Sequence, residues 1–129
     1  MTATITTPNG KSVQAIVAVD TGGGSALVML SKPFVDENKL IGNIQNAVPE
    51  PRYGMEGQQA RVLSARFEKL AVGPFEIPRP VIHFWQVRGF GGSSGIDGLL
   101  CGEFLHRFKL IFDYLNQKII LEPNAHFRD

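Results

Sequence analysis

Thr2 to Thr7 alternates β-branched residues and runs into Pro8-Asn9-Gly10-Lys11. That pattern predicts a first strand and, because Asn-Gly suits positive φ angles, a tight hairpin into a second. The second strand sets Val13, Ala15, Val17 and Val19 on one face, while Ile16 and Ala18 make its other face apolar as the chain nears Asp20. It is therefore expected to be buried on both sides just before a carboxylate. Thr21-Gly22-Gly23-Gly24-Ser25 cannot continue a strand well, so a loop follows, and Ala26 to Leu30 reads as the next strand. Ser31-Lys32-Pro33 has the form of a cap opening a short helix to about Leu40, with Pro33 tolerated in its first turn.

From Gly42 to Gln59 the punctuation by Pro49, Pro51, Gly54 and Gly57 predicts a mobile loop rather than a core element. Gln59 to Val72 alternates well enough for one long strand or a bent pair, stopped by Gly73-Pro74. Pro78 and Pro80 bound a further strand, Val81 to Val87, which carries His83 and Trp85 on one face. After a Gly- and Ser-rich loop (Gly89 to Gly98), Phe104, Leu105 and Phe108 stand at helical spacing. Leu110-Ile111-Phe112 and Ile119-Ile120-Leu121 then predict two strands around an Asn116-Gln117 turn. Strands dominate and helices are short, which fits a mostly antiparallel β-barrel or sandwich.

Composition narrows what such a domain can do. A chain of 129 residues, 43% hydrophobic and 19% charged, suits one domain over residues 1–129. With 13 basic against 12 acidic residues, there is no electrostatic footprint for nucleic acid or an anionic membrane. The single cysteine, Cys101, excludes an internal disulfide, and His83, His106 and His126 lack metal-ligand spacing, so neither metal nor cofactor is expected. No apolar run approaches the ~18 residues of a membrane span, and Met1 to Gly10 lacks the features of a signal peptide. The sequence leaves the compartment open, since a processed piece of a longer secreted precursor would read the same way.

Three constellations have bland alternatives. Gly89-Phe90-Gly91-Gly92-Ser93-Ser94 resembles a dinucleotide-binding turn, but serine stands where the third glycine is needed and the following helix is too short for a crossover. Cys101, beside Leu99 and Leu100, reads as a small buried core residue rather than a thiol nucleophile. His83 and Trp85 read as packing or dimer-contact residues rather than a cofactor box. Asp20-Thr21-Gly22 is chemically stronger, because an apolar strand delivers a carboxylate onto a turn where glycine lets backbone N–H groups approach it.

Taken with the late segment Asp97-Gly98-Leu99-Leu100, Phe104-Leu105 and "FKLIFDYLNQKIILEP", this turn resembles the retropepsin-like aspartyl proteases, notably bacterial single-domain members containing DTG. The resemblance runs from about Thr2 to Pro123. It implies an all-β, retropepsin-like acid-protease barrel with one short helix in its C-terminal half. It also implies an aspartic endopeptidase acting on peptide or protein substrates, with Asp20 as catalytic carboxylate. Thr21 would brace the loops of two subunits, Gly22 would supply backbone donors, and Gly54, Met55, Glu56 and Gly57 would form the substrate-covering flap. None of Asp36, Asp97, Asp113 and Asp129 is followed by Thr or Ser and then Gly, so the second carboxylate must come from a second copy in a homodimer. Two departures stand out. Gly24 occupies the place two after the DTG glycine where a hydroxyl residue is usual, with Ser25 one later, and Cys101 stands where a glycine follows two hydrophobic residues, with Gly102 one later. A local change at the strand crossing or a one-residue bulge would accommodate the second. The alternative is a non-catalytic retropepsin-like domain that binds extended peptides or dimerises within a larger envelope protein.

Overall fold

A computed structural model describes residues 1–22, 24–43, 48–53, 59–85 and 95–128. β1 (Thr2–Thr6) and β2 (Ser12–Val19) pair in register from Thr2↔Ile16 to Thr6↔Ser12. Their connection differs from the expected two-residue turn. Thr7 N–H donates to Lys11 O at 2.8 Å and Gly10 N–H to Thr7 O at 2.9 Å, and only Gly10 has positive φ (88°). Three residues, Pro8 to Gly10, thus close the hairpin, with glycine alone in the left-handed region.

β3 (Val28–Leu30) leads into α1 (Lys32–Glu37), whose N-cap is Ser31: its Oγ accepts from Phe34 N–H at 3.3 Å. A 3₁₀ turn (Ile41–Asn43) follows. β4 (Val48–Tyr53) then occupies part of the stretch expected to be a mobile loop. Its place at the sheet edge explains how Pro49 and Pro51 are accommodated, since an edge strand has one side with no ladder bonds for a prolyl nitrogen to lose. The remaining positions 54–58 of that stretch lie outside the described residues.

Gln59 to Val72 is a bent pair, β5 (Gln59–Arg66) and β6 (Lys69–Val72), joined at Phe67-Glu68. β7 (Phe75–Pro78) and β8 (Val81–Trp85) follow, then β9 (Gly98–Leu100), α2 (Gly102–Leu105), β10 (Phe108–Asp113) and β11 (Lys118–Pro123). Among the described residues two short helices accompany the strands, α1 in the N-terminal half and α2 in the C-terminal half.

Among the described residues, nine strands are hydrogen-bonded in the order β4-β5-β8-β3-β9-β2-β1-β6-β7, with β10 and β11 as a separate antiparallel pair. Most pairings are antiparallel, but β2 with β9 and β3 with β8 are parallel. β2 is long enough to serve two neighbours: Ser12 to Ile16 face β1, and Val17 to Val19 face β9. The core gathers the inward residues of these strands, including Ile5, Ala15, Val17, Leu30, Leu70, Ile82 and Leu100, with Phe104 from α2. Phe75, Phe108 and Phe127 meet edge to face at centroid distances of 5.0–5.8 Å, anchoring the hairpin and the C-terminal segment to this core.

One expectation about β2 fails. Ile16 is 52% exposed, and Ala18 and Val19 are only half-buried, so the strand is covered on one face up to Val17 and not on both. Among the described residues no layer packs over the Ile16 side; Asp97 binds the backbone there instead, its N–H donating to Ile16 O (2.7 Å) and its Oδ2 accepting from Ile16 N–H (2.8 Å).

Candidate active site

Asp20 is placed by backbone contacts. The ladder Val17↔Gly98, Ala18↔Leu99, Val19↔Leu100 is extended by one bond, Asp20 N–H to Leu100 O at 2.9 Å. The carboxylate therefore stands at the carboxyl end of the parallel β2/β9 pair. The first turn of the following loop fixes it further: Gly22 N–H donates to Asp20 Oδ1 at 3.0 Å. Asp20 is half-buried, while Thr21 and Gly22 are exposed. Among the described residues, the carboxylate keeps most of its accepting capacity open for a ligand, water or a second acid.

The loop then crosses over the end of β9, because β9 lies between β2 and β3, parallel to the first and antiparallel to the second. Its return path is held by Cys101 N–H on Leu27 O (3.0 Å) and Glu103 N–H on Ala26 O (3.1 Å). The crossing is so tight at Gly102 that a Cβ there would lie 2.2 Å from Gly24 O. Only glycine fits that approach without displacing backbone.

This contact resolves the second departure. β9 has no bulge: its register with β2 and with β3 is continuous, and Cys101 continues in extended conformation (φ −103°, ψ −172°) as the N-cap of α2. Cys101 is buried, with Sγ 3.5 Å from Leu99 O, in a small cluster with Ala26, Met29 and Val62. Gly102 is the residue against the loop. Trp85 and Leu99 pack on the same cluster, and His83, opposite Met29 and Ser64 in the sheet, is buried as well. These positions are structural in the chain as it stands.

Ser25 is exposed and, among the described residues, makes no hydrogen bond to the Asp20 carboxylate; it lines a cleft. The flap candidates Gly54, Met55, Glu56 and Gly57 lie outside the described residues, as do Gly23 and the Gly89 to Ser94 segment. No three His, Cys, Asp or Glu side chains come together as a metal site among the described residues. Nor is any helix among them long and apolar enough to cross a membrane.

The chain as a whole is similar in fold to a solved structure, a retropepsin-like aspartic protease from Rickettsia conorii. The similarity covers 94% of this chain and 79% of that one, with a TM-score of 0.51 and 16% identity. The fold is retropepsin-like. No family model matches the sequence, and no curated protein matches it. In a retropepsin-like fold, sequence reasoning had singled out the Asp20-Thr21-Gly22 turn, but not the backbone cradle formed by Leu100 and Gly102, nor the cleft beyond Ser25. The cleft's side chains come from positions 66, 79, 107 and 128, too far apart in sequence to form a motif.

Proposed function

We propose that two copies of this chain form an aspartic endopeptidase in which each contributes Asp20 to a shared site. The observation supporting this most directly is the Asp20 carboxylate, held by Gly22 N–H at the end of the β2/β9 pair within a retropepsin-like fold. A lone carboxylate can act as base or as acid, but peptide hydrolysis by this chemistry needs both at once. Two carboxylates about 3 Å apart cannot both ionise, so they share one proton. One then removes a proton from the attacking water while the other protonates the peptide carbonyl. In this reading Thr21, exposed beside Asp20, meets its counterpart across the two-fold axis, and the segment around Gly54 to Gly57 covers the extended peptide. Ile16 and the hairpin residues Phe112, Tyr114 and Leu115 are exposed apolar surface that a second copy would withdraw from water.

The test is cleavage of unfolded protein substrate as a function of pH, with sedimentation on the same samples. The dyad titrates as a pair, so the rate should be bell-shaped and fall as the second proton leaves. Asp20→Asn should abolish cleavage while keeping or tightening the dimer and flattening its pH dependence, because amides remove the repulsion between two carboxylates. A monomer that cleaves peptides through Asp20 would refute the shared site. One observation favours the non-catalytic alternative: Gly24 removes the hydroxyl expected near the loop, and Ser25 does not replace it at the carboxylate. A dimer that binds extended peptides and cleaves none at any pH would establish that reading instead.

A further inference from the structure

Beyond Ser25 the surface opens into a cleft of about 630 Å³ whose charge is out of proportion to the chain. Four arginines line it, Arg66, Arg79, Arg107 and Arg128, against two glutamates, Glu76 and Glu103. Four against two leaves an excess of two positive charges, in a chain whose formal net charge is +1. The two glutamates are already engaged. Glu103 Oε1 accepts from Arg107 Nη2 at 3.1 Å, and Glu76 Oε1 from Lys69 Nζ at 3.4 Å. Arg107 is itself buried and structural, its Nη1 donating to Phe127 O at 2.8 Å. Arg66, Arg79 and Arg128 are exposed cations with no carboxylate partner among the described residues.

Arg79 stands out further. Between Pro78 and Pro80 it adopts φ +48°, a left-handed conformation that glycine takes without strain and that costs other residues on the order of 1 kcal/mol. The conformation is fixed from both sides, by Arg79 N–H on Glu68 O (2.9 Å) and by Arg66 Nη1 on Arg79 O (2.6 Å). Arg66 and Arg79, tied to each other by the latter bond, both line the cleft, with Arg128 joining from the C-terminal segment. Guanidinium groups in a concave site recognise carboxylates in a fork-to-fork manner, and a cleft focuses their field.

The cleft also adjoins the catalytic loop. Ser25 and Leu27 line it, and Ser25 is five residues after Asp20, so its Cα is at most ~17 Å away along the chain. An extended peptide advances ~3.3 Å per residue. A substrate that runs from Asp20 toward Ser25 would bring a side chain to the edge of the cleft within about five residues of the bond being cut.

We propose that this cleft is a binding site for an acidic side chain of the peptide substrate, read by Arg79 and Arg128 with Arg66 in support. The proposal rests on the peptide-binding reading of the Asp20 site, and the experiment separates the two. Full-length Asp20→Asn protein is titrated with two fluorescein-labelled dodecapeptides, one of alternating Val and Glu and one of alternating Val and Gln, at low salt. Wild-type protein is given a proteome-derived peptide library, and its cuts are mapped by mass spectrometry. The Glu peptide should bind at least tenfold more tightly than the Gln peptide, and the difference should shrink as salt is added. The cuts should show Asp or Glu enriched at one position within about five residues. Arg79→Gly relieves the backbone strain, so it should keep or raise the thermal midpoint; combined with Arg128→Ala, it should erase both preferences.

Equal affinity for the two peptides, or a Glu preference untouched by the double variant, overturns the proposal. So does displacement of the Glu peptide by sub-millimolar inorganic phosphate, which would make the ligand a free anion. Cleavage without acidic enrichment refutes the cleft's role and leaves the protease reading standing. Arg-dependent Glu binding without any cleavage supports the cleft and removes the protease reading.

Discussion

Replacing Gly102 by alanine tests the crossing that holds the Asp20 loop. The added Cβ would stand 2.2 Å from Gly24 O and 3.3 Å from Gly24 C, where real Cβ atoms essentially never come within 3.0 Å. The obstacle is backbone, so it cannot rotate aside. Relief requires the loop or the start of α2 to shift by roughly 1 Å, and overpacking of this kind costs ~1–3 kcal/mol. Alanine's better helix propensity offsets less than ~1 kcal/mol of that, since Gly102 is in the first turn of a four-residue helix. For a chain of this length, ~1 kcal/mol corresponds to about 4 °C, so after that offset Gly102→Ala should lower the melting midpoint by up to about 12 °C. Gly42→Ala is the control: no heavy atom lies within 4 Å of its added Cβ and its φ is not positive, so the change should be within about 0.5 kcal/mol. Urea unfolding of both variants at one fixed protein concentration gives the comparison free of dimer mass action. If Gly102→Ala is as stable as Gly42→Ala, the loop does not approach α2 as described. If it is destabilised and cleavage falls further than the folded fraction accounts for, the crossing positions Asp20 as well as supporting the fold.

Cys101, buried beside Leu99 O, should be alkylated by a neutral-pH thiol reagent only as fast as the protein opens; rapid labelling of folded protein would contradict its burial. Ser31→Ala removes the Oγ acceptor from Phe34 N–H and should cost ~1 kcal/mol in urea unfolding, and an unchanged midpoint would show the cap to be dispensable. At the β10–β11 turn, the Asn116 side-chain amide, and then its backbone N–H, hold the Asp113 carboxyl below the ordinary aspartate value. A lowered folded value means that its stabilisation is present above the unfolded value and lost as pH falls through the folded one. NMR titration of the Asp113 carboxyl should therefore show a depressed midpoint that rises in Asn116→Ala; equal midpoints would remove the Asn116 bond as the cause.

The parts of this molecule that depend on neighbours in sequence were legible from it. Alternation marked β1 and β2, short apolar runs around a turn marked β10 and β11, Ser31-Lys32-Pro33 marked the start of α1, and an apolar strand ending in Asp20-Thr21-Gly22 located the carboxylate. What depends on distant partners was not. Pro49 and Pro51 break a central strand but not an edge one, and edge position is a property of the finished sheet. Ile16 carries the signal of a buried residue because composition cannot say whether a second layer exists on its side. The choice between Cys101 and Gly102 as the residue against the loop turns on a single backbone approach, to which the local pattern Leu-Leu-Cys-Gly is indifferent. The arginine cleft is assembled from four strand ends and loops and leaves no trace as a run of charge.

These failures share a cause that also bears on how far the fold can carry a functional argument. The contacts that set the Asp20 loop are mostly backbone to backbone: Leu100 O, Leu27 O, Ala26 O and Gly24 O are the groups approached. Such contacts constrain where the chain goes and where a side chain must be absent, but hardly which side chain stands elsewhere. A cysteine can then occupy the position before the close approach provided a glycine follows, and a serine can move one place along the loop without disturbing the crossing. A retropepsin-like fold at 16% identity is what such a cradle permits. For the same reason the fold is preserved under changes that would alter chemistry, since removing the Asp20 carboxylate leaves every one of those backbone bonds in place. Stability and catalysis are therefore expected to separate at Asp20 and to fall together at Gly102.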